Sequence, residues 1–282
     1  MTDRASIKER AMSMFKCNYW LNVALFAILS AITGTISGFA SMGGNLSSIA
    51  RLSDSSDFGE VAIALTAVSL VLSIAGIAVA IFLQGALSVS DAKASLHIYD
   101  GNRPDFKHIL FGFSGGRYWK SVGSMALAGL LAGLAAIVVV IPVVVVTAIV
   151  MSGLSSGSEL SVAAMTAICV VLALAACIPA FILAIGFAQV PYVVADEGRS
   201  GMDAIRRSWQ LMRGHKGEYF VFGLSFLGWI ILTALTFGVL GIFYTGPYMR
   251  ISYAGYYREL VYSGEPVLMG EPAVDESGNY RF

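Results

Sequence analysis

The chain has 282 residues, 57% of them hydrophobic and only 13% charged, with a formal net charge of zero and a mean hydropathy of +0.75. Soluble domains carry about 25% charged residues, so too little charge is available here to coat an ordinary water-facing surface. A pI near 6.8 gives no case for nucleic acid as a partner, and three cysteines, Cys17, Cys169 and Cys177, give neither a disulfide framework nor a zinc ligand set.

The basic residues are clustered. Seventeen of the 18 Lys and Arg fall in four separated segments, with Arg51 the exception. Between successive segments lie two apolar stretches joined by a connector nearly free of basic residues. This is the charge pattern of a polytopic membrane protein whose Lys/Arg-rich loops stay in the cytoplasm.

The N-terminal segment carries Arg4, Lys8, Arg10 and Lys16. It resembles the start of a secretory signal, but the following apolar run exceeds the roughly 7–15 residues of a signal core and no small-x-small site closes it. An uncleaved first span is expected over about 19–40. A Ser/Gly/Asp-rich connector leads to a second span, about 60–83, and then to a polar segment with Lys93, Arg103, Lys107, Arg117 and Lys120. Spans three and four are expected over about 121–150 and 161–194. The next polar segment holds Arg199, Arg206, Arg207, Arg213 and Lys216. Span five covers about 219–237. The turn Gly238–Gly241 then leads into span six, about 239–260, in preference to one long helix through Tyr244. Residues 262–282 read as a disordered cytoplasmic tail.

The expected fold is therefore all-α: a polytopic transmembrane helical bundle of about six spans in three hairpins. Residues 1–261 form one integral membrane domain, and both termini lie in the cytoplasm of a bacterial cell membrane. Before each outgoing span sits a short amphipathic stretch at helical spacing. The first carries Ile7, Ala11, Met14 and Phe15, the second Phe106, Ile109, Leu110 and Phe113, and the third Met202, Ile205, Trp209 and Met212. Such helices can lie in the membrane interface, apolar side down. Trp20, Trp119 and Tyr219 mark the points where the chain enters the bilayer, as aromatic anchors do. The pairs Gly34/Gly38 and Gly129/Gly133 have GxxxG spacing, which permits close helix packing within the chain.

The run Ser208-Trp209-Gln210-Leu211-Met212-Arg213-Gly214-His215-Lys216 is followed by Leu224-Ser225-Phe226-Leu227-Gly228-Trp229, then Gly246-Pro247-Tyr248 and Tyr256-Tyr257-Arg258-Glu259-Leu260. Together with Pro179 and Asp196-Glu197, these motifs resemble the bacterial membrane proteins grouped as domain of unknown function 975. The match is specific over about 178–260 and loose over most of the chain. Ala180 stands where that family usually has Gly, and Tyr256 where it has Phe. The resemblance implies a multi-pass bacterial membrane protein and brings no established activity, so no catalytic residue is carried over.

Charge inside a bilayer is expensive, so an intramembrane ionisable residue is the default functional clue. No expected span has an Asp, Glu, Lys or His at its middle, and His97, His108 and His215 all sit in the cytoplasmic segments. This argues against a metalloprotease with its helical His pair and against a Ser–His hydrolase. The expectation is a non-enzyme with no cofactor and no metal.

Arg250 is the exception, at about eleven residues or roughly 16 Å from the outer turn. It either anchors an anion or lipid-headgroup site with Tyr248 and Gln189, or snorkels to the cytoplasmic face. Arg206, Arg207, Arg213 and Lys216 either touch anionic lipid or serve topology alone. Expected partners are membrane lipids and another membrane protein, with no nucleic acid. Action through lipid or membrane-partner contact is the leading reading. Transport of a small amphiphilic or anionic molecule through a cytoplasm-facing cleft near Arg250 is the alternative.

Overall fold

A computed structural model describes residues 4–52, 59–114, 116–154, 170–171 and 181–262. Among them the chain is helical and has no strand. In order come α1 (Arg4–Cys17), α2 (Tyr19–Leu52), α3 (Gly59–Tyr99), a 3-10 helix (Phe106–Phe113) and α4 (Arg117–Leu154). Then follow α5 (Val190–Asp196), α6 (Gly201–Leu211), α7 (Lys216–Leu224), α8 (Leu227–Leu235), a π-helical turn (Gly241–Thr245) and α9 (Gly246–Tyr262). The first expected connector, 41–59, is helical through Leu52, because α2 runs on past the expected end of span one. Its residues 53–58, residues 155–159 of the second connector, the expected tail and most of the fourth expected span before Phe181 lie outside the described residues.

Four helical stretches are long and apolar enough to cross a membrane: Tyr19–Gly38, Ala67–Tyr99, Arg117–Ile137 and Lys216–Leu235. Over the most apolar 18 residues of each, only 11–33% are buried, so the apolar side chains there point mostly outward. On α3, Leu70, Val71 and Ile74 are exposed, and on α4 Leu130, Leu134 and Ile137. Soluble helices turn polar residues outward; these turn apolar ones outward. Trp20 and Trp119 are 74% and 69% exposed, as interfacial anchors would be. Tyr219 instead packs inside, 5.5 Å from Tyr253 and 5.3 Å from Tyr256 between ring centroids.

The polar segment expected to begin at Asp91 is helical at its start, because α3 runs on to Tyr99. No Gly or Pro interrupts 91–99, and Ala92, Ala94, Leu96 and Ile98 are buried there. The helix stops at Gly101, whose φ of +93° suits a residue without Cβ just past a helix end. Its amide donates to the Ile98 carbonyl at 3.0 Å.

The sixth expected span is not among the four apolar stretches. α9 is 17 residues long, with nine of them buried, and carries Arg250, Arg258 and Glu259. It tolerates this composition because other helices surround it. α7 and α8 run antiparallel along it, from the Tyr219–Tyr256 contact through Phe226 against Tyr248 to a Thr233–Thr245 hydroxyl bond of 3.0 Å. The reversal between them falls at the expected Gly turn. Phe237 and Gly238 have φ of 52° and 84°, and the Gly238 amide donates to Thr233 O at 2.9 Å.

α1 covers another side of α9. Its buried residues are Ile7, Ala11, Met14 and Phe15, the four that the helical spacing selects. They face protein rather than lipid. A Cβ at Gly255 would lie 2.9 Å from Ile7 Cγ2, and Phe15 meets the Tyr244 ring edge-on at 5.5 Å. α1 is therefore antiparallel to α9 and parallel to α7 and α8. Its junction with α2 is fixed by Asn22, fully buried, whose Nδ2 donates to the Phe15 carbonyl at 3.0 Å.

The other two amphipathic stretches are less covered. Phe106 and Leu110 of the 3-10 helix are 42% and 63% exposed, while Ile205 and Met212 are buried and Met202 is exposed. Gly34, Gly38, Gly129 and Gly133 meet no atom within 4 Å of a Cβ position, so no close packing uses their spacing among the described residues.

Candidate functional site

The motif residues near the C-terminus, far apart in sequence, converge at one end of α5, α6 and α9. Ser208 Oγ donates to Gly186 O at 2.7 Å, which turns α6 against the helical residues 181–187 that precede α5. Trp209 then lies across Gly186, where a Cβ would be 2.2 Å from the indole ring. The Lys216 amine sits 3.6 Å from the Trp209 ring centroid, a cation–π contact. Tyr256 donates its hydroxyl hydrogen to His215 O at 3.3 Å.

An ion network closes this region. Arg258 donates from Nη2 and Nε to the two Asp100 oxygens at 2.6 and 3.0 Å, and from Nη1 to Asp196 Oδ2 at 2.8 Å. Its side chain is only 13% exposed. Tyr257 OH lies 3.5 Å from the same Asp196 oxygen. Next along the chain, Glu197 accepts from Arg199 at 2.6 Å and from Arg207 at 2.9 Å. One cation between two carboxylates ties the ends of α3, α5 and α9 together. The bonds run between its own members, and what they supply is cohesion.

The residues expected around Arg250 separate. The guanidinium donates to Asp91 Oδ1 at 3.3 Å and Ser30 Oγ at 3.0 Å and lies 5.4 Å from the Phe26 ring centroid. Asp91 supplies the acidic partner that the sequence reading did not place at this depth. Tyr248 is 5% exposed, between the Phe226 and Trp229 rings. It borders an open groove of about 430 Å³ with Lys8, Glu9, Met12, Ser13 and Lys16. Gln189 is fully buried, and neither its Nε2 nor its Oε1 has a hydrogen-bond partner among the described residues.

The four basic residues expected at lipid also divide. Arg207 is paired with Glu197 and Lys216 lies on Trp209. Arg206 and Arg213 are exposed. Asp91, Asp100 and Ser30 escaped the sequence reading because their partners lie 158–220 residues away.

His97 and His108 stack edge to face, with centroids 4.4 Å apart. His108 Nε2 is buried without a partner. Burial first, then His97 and Lys93, hold the His108 imidazole below its ordinary value, with Asp105 opposing them. The unfolded chain takes up this proton near pH 6.5, and the folded chain only at lower pH. Unfolding therefore binds a proton in that window, and stability falls as pH falls below about 6.5. Thermal unfolding in mild detergent between pH 7.5 and 5.5 is expected to show the decline, with His108→Gln flattening it. A slope unchanged in that variant would remove His108 as its source.

A family model described as "Protein of unknown function (DUF975)" matches residues 1–263. No curated protein and no solved structure matches the chain.

Proposed function

The chain belongs to the DUF975 family of proteins of unknown function, and we propose that it is a multi-pass protein of the bacterial cytoplasmic membrane, non-enzymatic, acting through contact with lipids or with another membrane protein. The carrying observation is the outward apolar surface of α3 and α4, where Val68, Leu70, Val71, Ile74, Ile77 and Ile81 of α3 are 45–66% exposed. A contiguous apolar flank of that length needs lipid or protein to cover it.

The basic segments orient the termini and the polar segments toward the cytoplasm. In this reading the first four passes form two hairpins. A full six-pass arrangement would add a third hairpin from Lys216 to Tyr262. Arg206 and Arg213, both exposed, are then available to anionic headgroups. Carriage of an anion past Arg250 has less support, because Asp91 already balances that charge.

The test is extraction. The chain is expected to stay in the membrane pellet through alkaline carbonate washing and to co-purify with phospholipid in mild detergent, identified by mass spectrometry. Release into the carbonate supernatant would overturn the proposal.

A further inference from the structure

The outward side of the 3-10 helix is both apolar and basic. Its inner side packs on α3 through Gly112, while Phe106 and Leu110 are 42% and 63% exposed. At about three residues per turn, Lys107 and Leu110 fall on one stripe, and Lys107 is exposed with them. Arg103, Arg117 and Lys120 are exposed nearby. The Lys93 amine and the Arg117 guanidinium both lie over the Phe111 ring, at 5.5 and 4.9 Å from its centroid.

Residues 91–120 carry these five cations and three carboxylates. Asp91 is engaged by Arg250 and Asp100 by Arg258. Asp105 Oδ1 accepts from the Lys107 amide at 2.9 Å, at the start of the 3-10 helix. None of the five cations is in an ion pair among the described residues. An exposed apolar stripe ringed by such cations is complementary to a partner that is itself apolar and acidic.

The chain supplies such a segment and delivers it here. Arg258 is bonded to Asp100 at the end of α3, and the Tyr262 ring centroid lies 6.0 Å from its guanidinium. α9 therefore ends beside Asp100, just ahead of Arg103 and the 3-10 helix. The sequence continues as Ser263-Gly264-Glu265-Pro266-Val267-Leu268-Met269-Gly270-Glu271, with three large apolar side chains between two carboxylates. From Asp100 back to Lys93 is about 10 Å along α3 at 1.5 Å per residue. From Tyr262 to Leu268 the extended chain reaches roughly 20 Å at about 3.3 Å per residue. A tether this short keeps its ligand at an effective concentration on the order of millimolar, so modest contacts suffice to hold it. Because the Arg258–Asp100 bond joins α9 directly to the end of α3, this reach is the same at any depth of α9 in a bilayer.

We infer that residues 265–271 dock in cis on the outward side of the 3-10 helix. Glu265 and Glu271 face the cations, and Val267, Leu268 and Met269 cover Phe106 and Leu110. The occupant of this surface is the chain's own segment, and an outside anionic partner binds there only by displacing it.

Distances between two spin labels test this in the full chain in lipid nanodiscs, with Cys17, Cys169 and Cys177 replaced by alanine. The labels go on Ser114→Cys, at an exposed position just past the 3-10 helix, and on Ala273→Cys, just past Glu271. One narrow, short distance is expected. Glu265→Lys with Glu271→Lys is expected to abolish that peak, and it alters only residues beyond α9, so the packed helices are left as they are. Adding Arg103→Glu and Lys107→Glu to the same chain is expected to restore at least half of the peak, because the charges are then exchanged rather than lost. A broad distribution in the parent, or a peak indifferent to the charges at 265 and 271, would overturn the inference. So would a charge-exchanged chain that recovers nothing. A nitroxide at 114 that meets oxygen in preference to a water-soluble nickel complex, whatever charges 265 and 271 carry, would put acyl chains on this face and overturn it equally.

Discussion

Arg258→Ala is expected to lower stability by about 3 kcal/mol, among the largest single losses in the chain. Removing one partner of a buried ion pair leaves an uncompensated charge, at a cost of about 3–5 kcal/mol. Here it leaves two, Asp100 and Asp196, facing one cavity. The low end of the range applies because Asp100 is still 35% exposed and water can reach it. Arg258→Met combined with Asp100→Asn and Asp196→Asn is expected to recover most of the loss, since the charge imbalance goes with the cation. Arg207→Ala, whose side chain is 31% exposed, is expected to cost under about 1 kcal/mol, as surface pairs do. Thermal or denaturant unfolding in mild detergent measures all of these. If Arg258→Ala and Arg207→Ala proved equal, the closing role assigned to Arg258 would be wrong.

Gly112→Ala is expected to cost about 2–3 kcal/mol, toward the upper end for overpacking, or about 3–5 °C in melting temperature for a chain of this length. Gly112 is buried in the 3-10 helix. A Cβ there would lie 2.2 Å from Ala86 O and 3.0 Å from Ser90 Oγ. The first is backbone of α3 and cannot rotate away. Relief requires the 3-10 helix to back off, which also breaks the 2.9 Å bond from the Gly112 amide to Ser90 Oγ. Gly129→Ala is the matched control, because nothing lies within 4 Å of a Cβ at that position. Replacing a helical glycine by alanine with no clash is neutral or mildly stabilising. Equal melting temperatures for the two variants would mean that the 3-10 helix does not pack on α3 as described.

Local pattern was readable where one helix decides its own face. The 3.6-residue spacing in α1 picked out Ile7, Ala11, Met14 and Phe15, and those side chains are the buried ones. It could not say what buries them, because an amphipathic face looks the same whether its partner is lipid or α9. The turn before Val239 was readable from Gly238, since few other residues take its φ of 84°. The length of α3 was not. Charge beginning at Asp91 suggests a loop, but buried Ala92, Ala94, Leu96 and Ile98 continue a helix through it.

The site fared likewise. Arg250 stood out by position, yet its match with Asp91 spans 159 residues, and no local signal encodes such a pairing. Asp196-Glu197 and the Tyr256–Leu260 run were legible as motif members. That Arg258 gathers Asp100 and Asp196 follows only from the packing of α9 against the end of α3.

The contacts of α1 set a clock on folding. Lys8 meets Ser225 across 217 residues, and Met12 meets Tyr244 across 232. At about 5–20 residues per second, a ribosome needs roughly 10–50 s to make the partner after α1 has emerged. Contacts this distant in sequence form late. Throughout that interval Ile7, Ala11, Met14 and Phe15 have no α9 to cover them. The first helix made is therefore among the last to be locked, and any truncation before α9 removes a main cover of its apolar face.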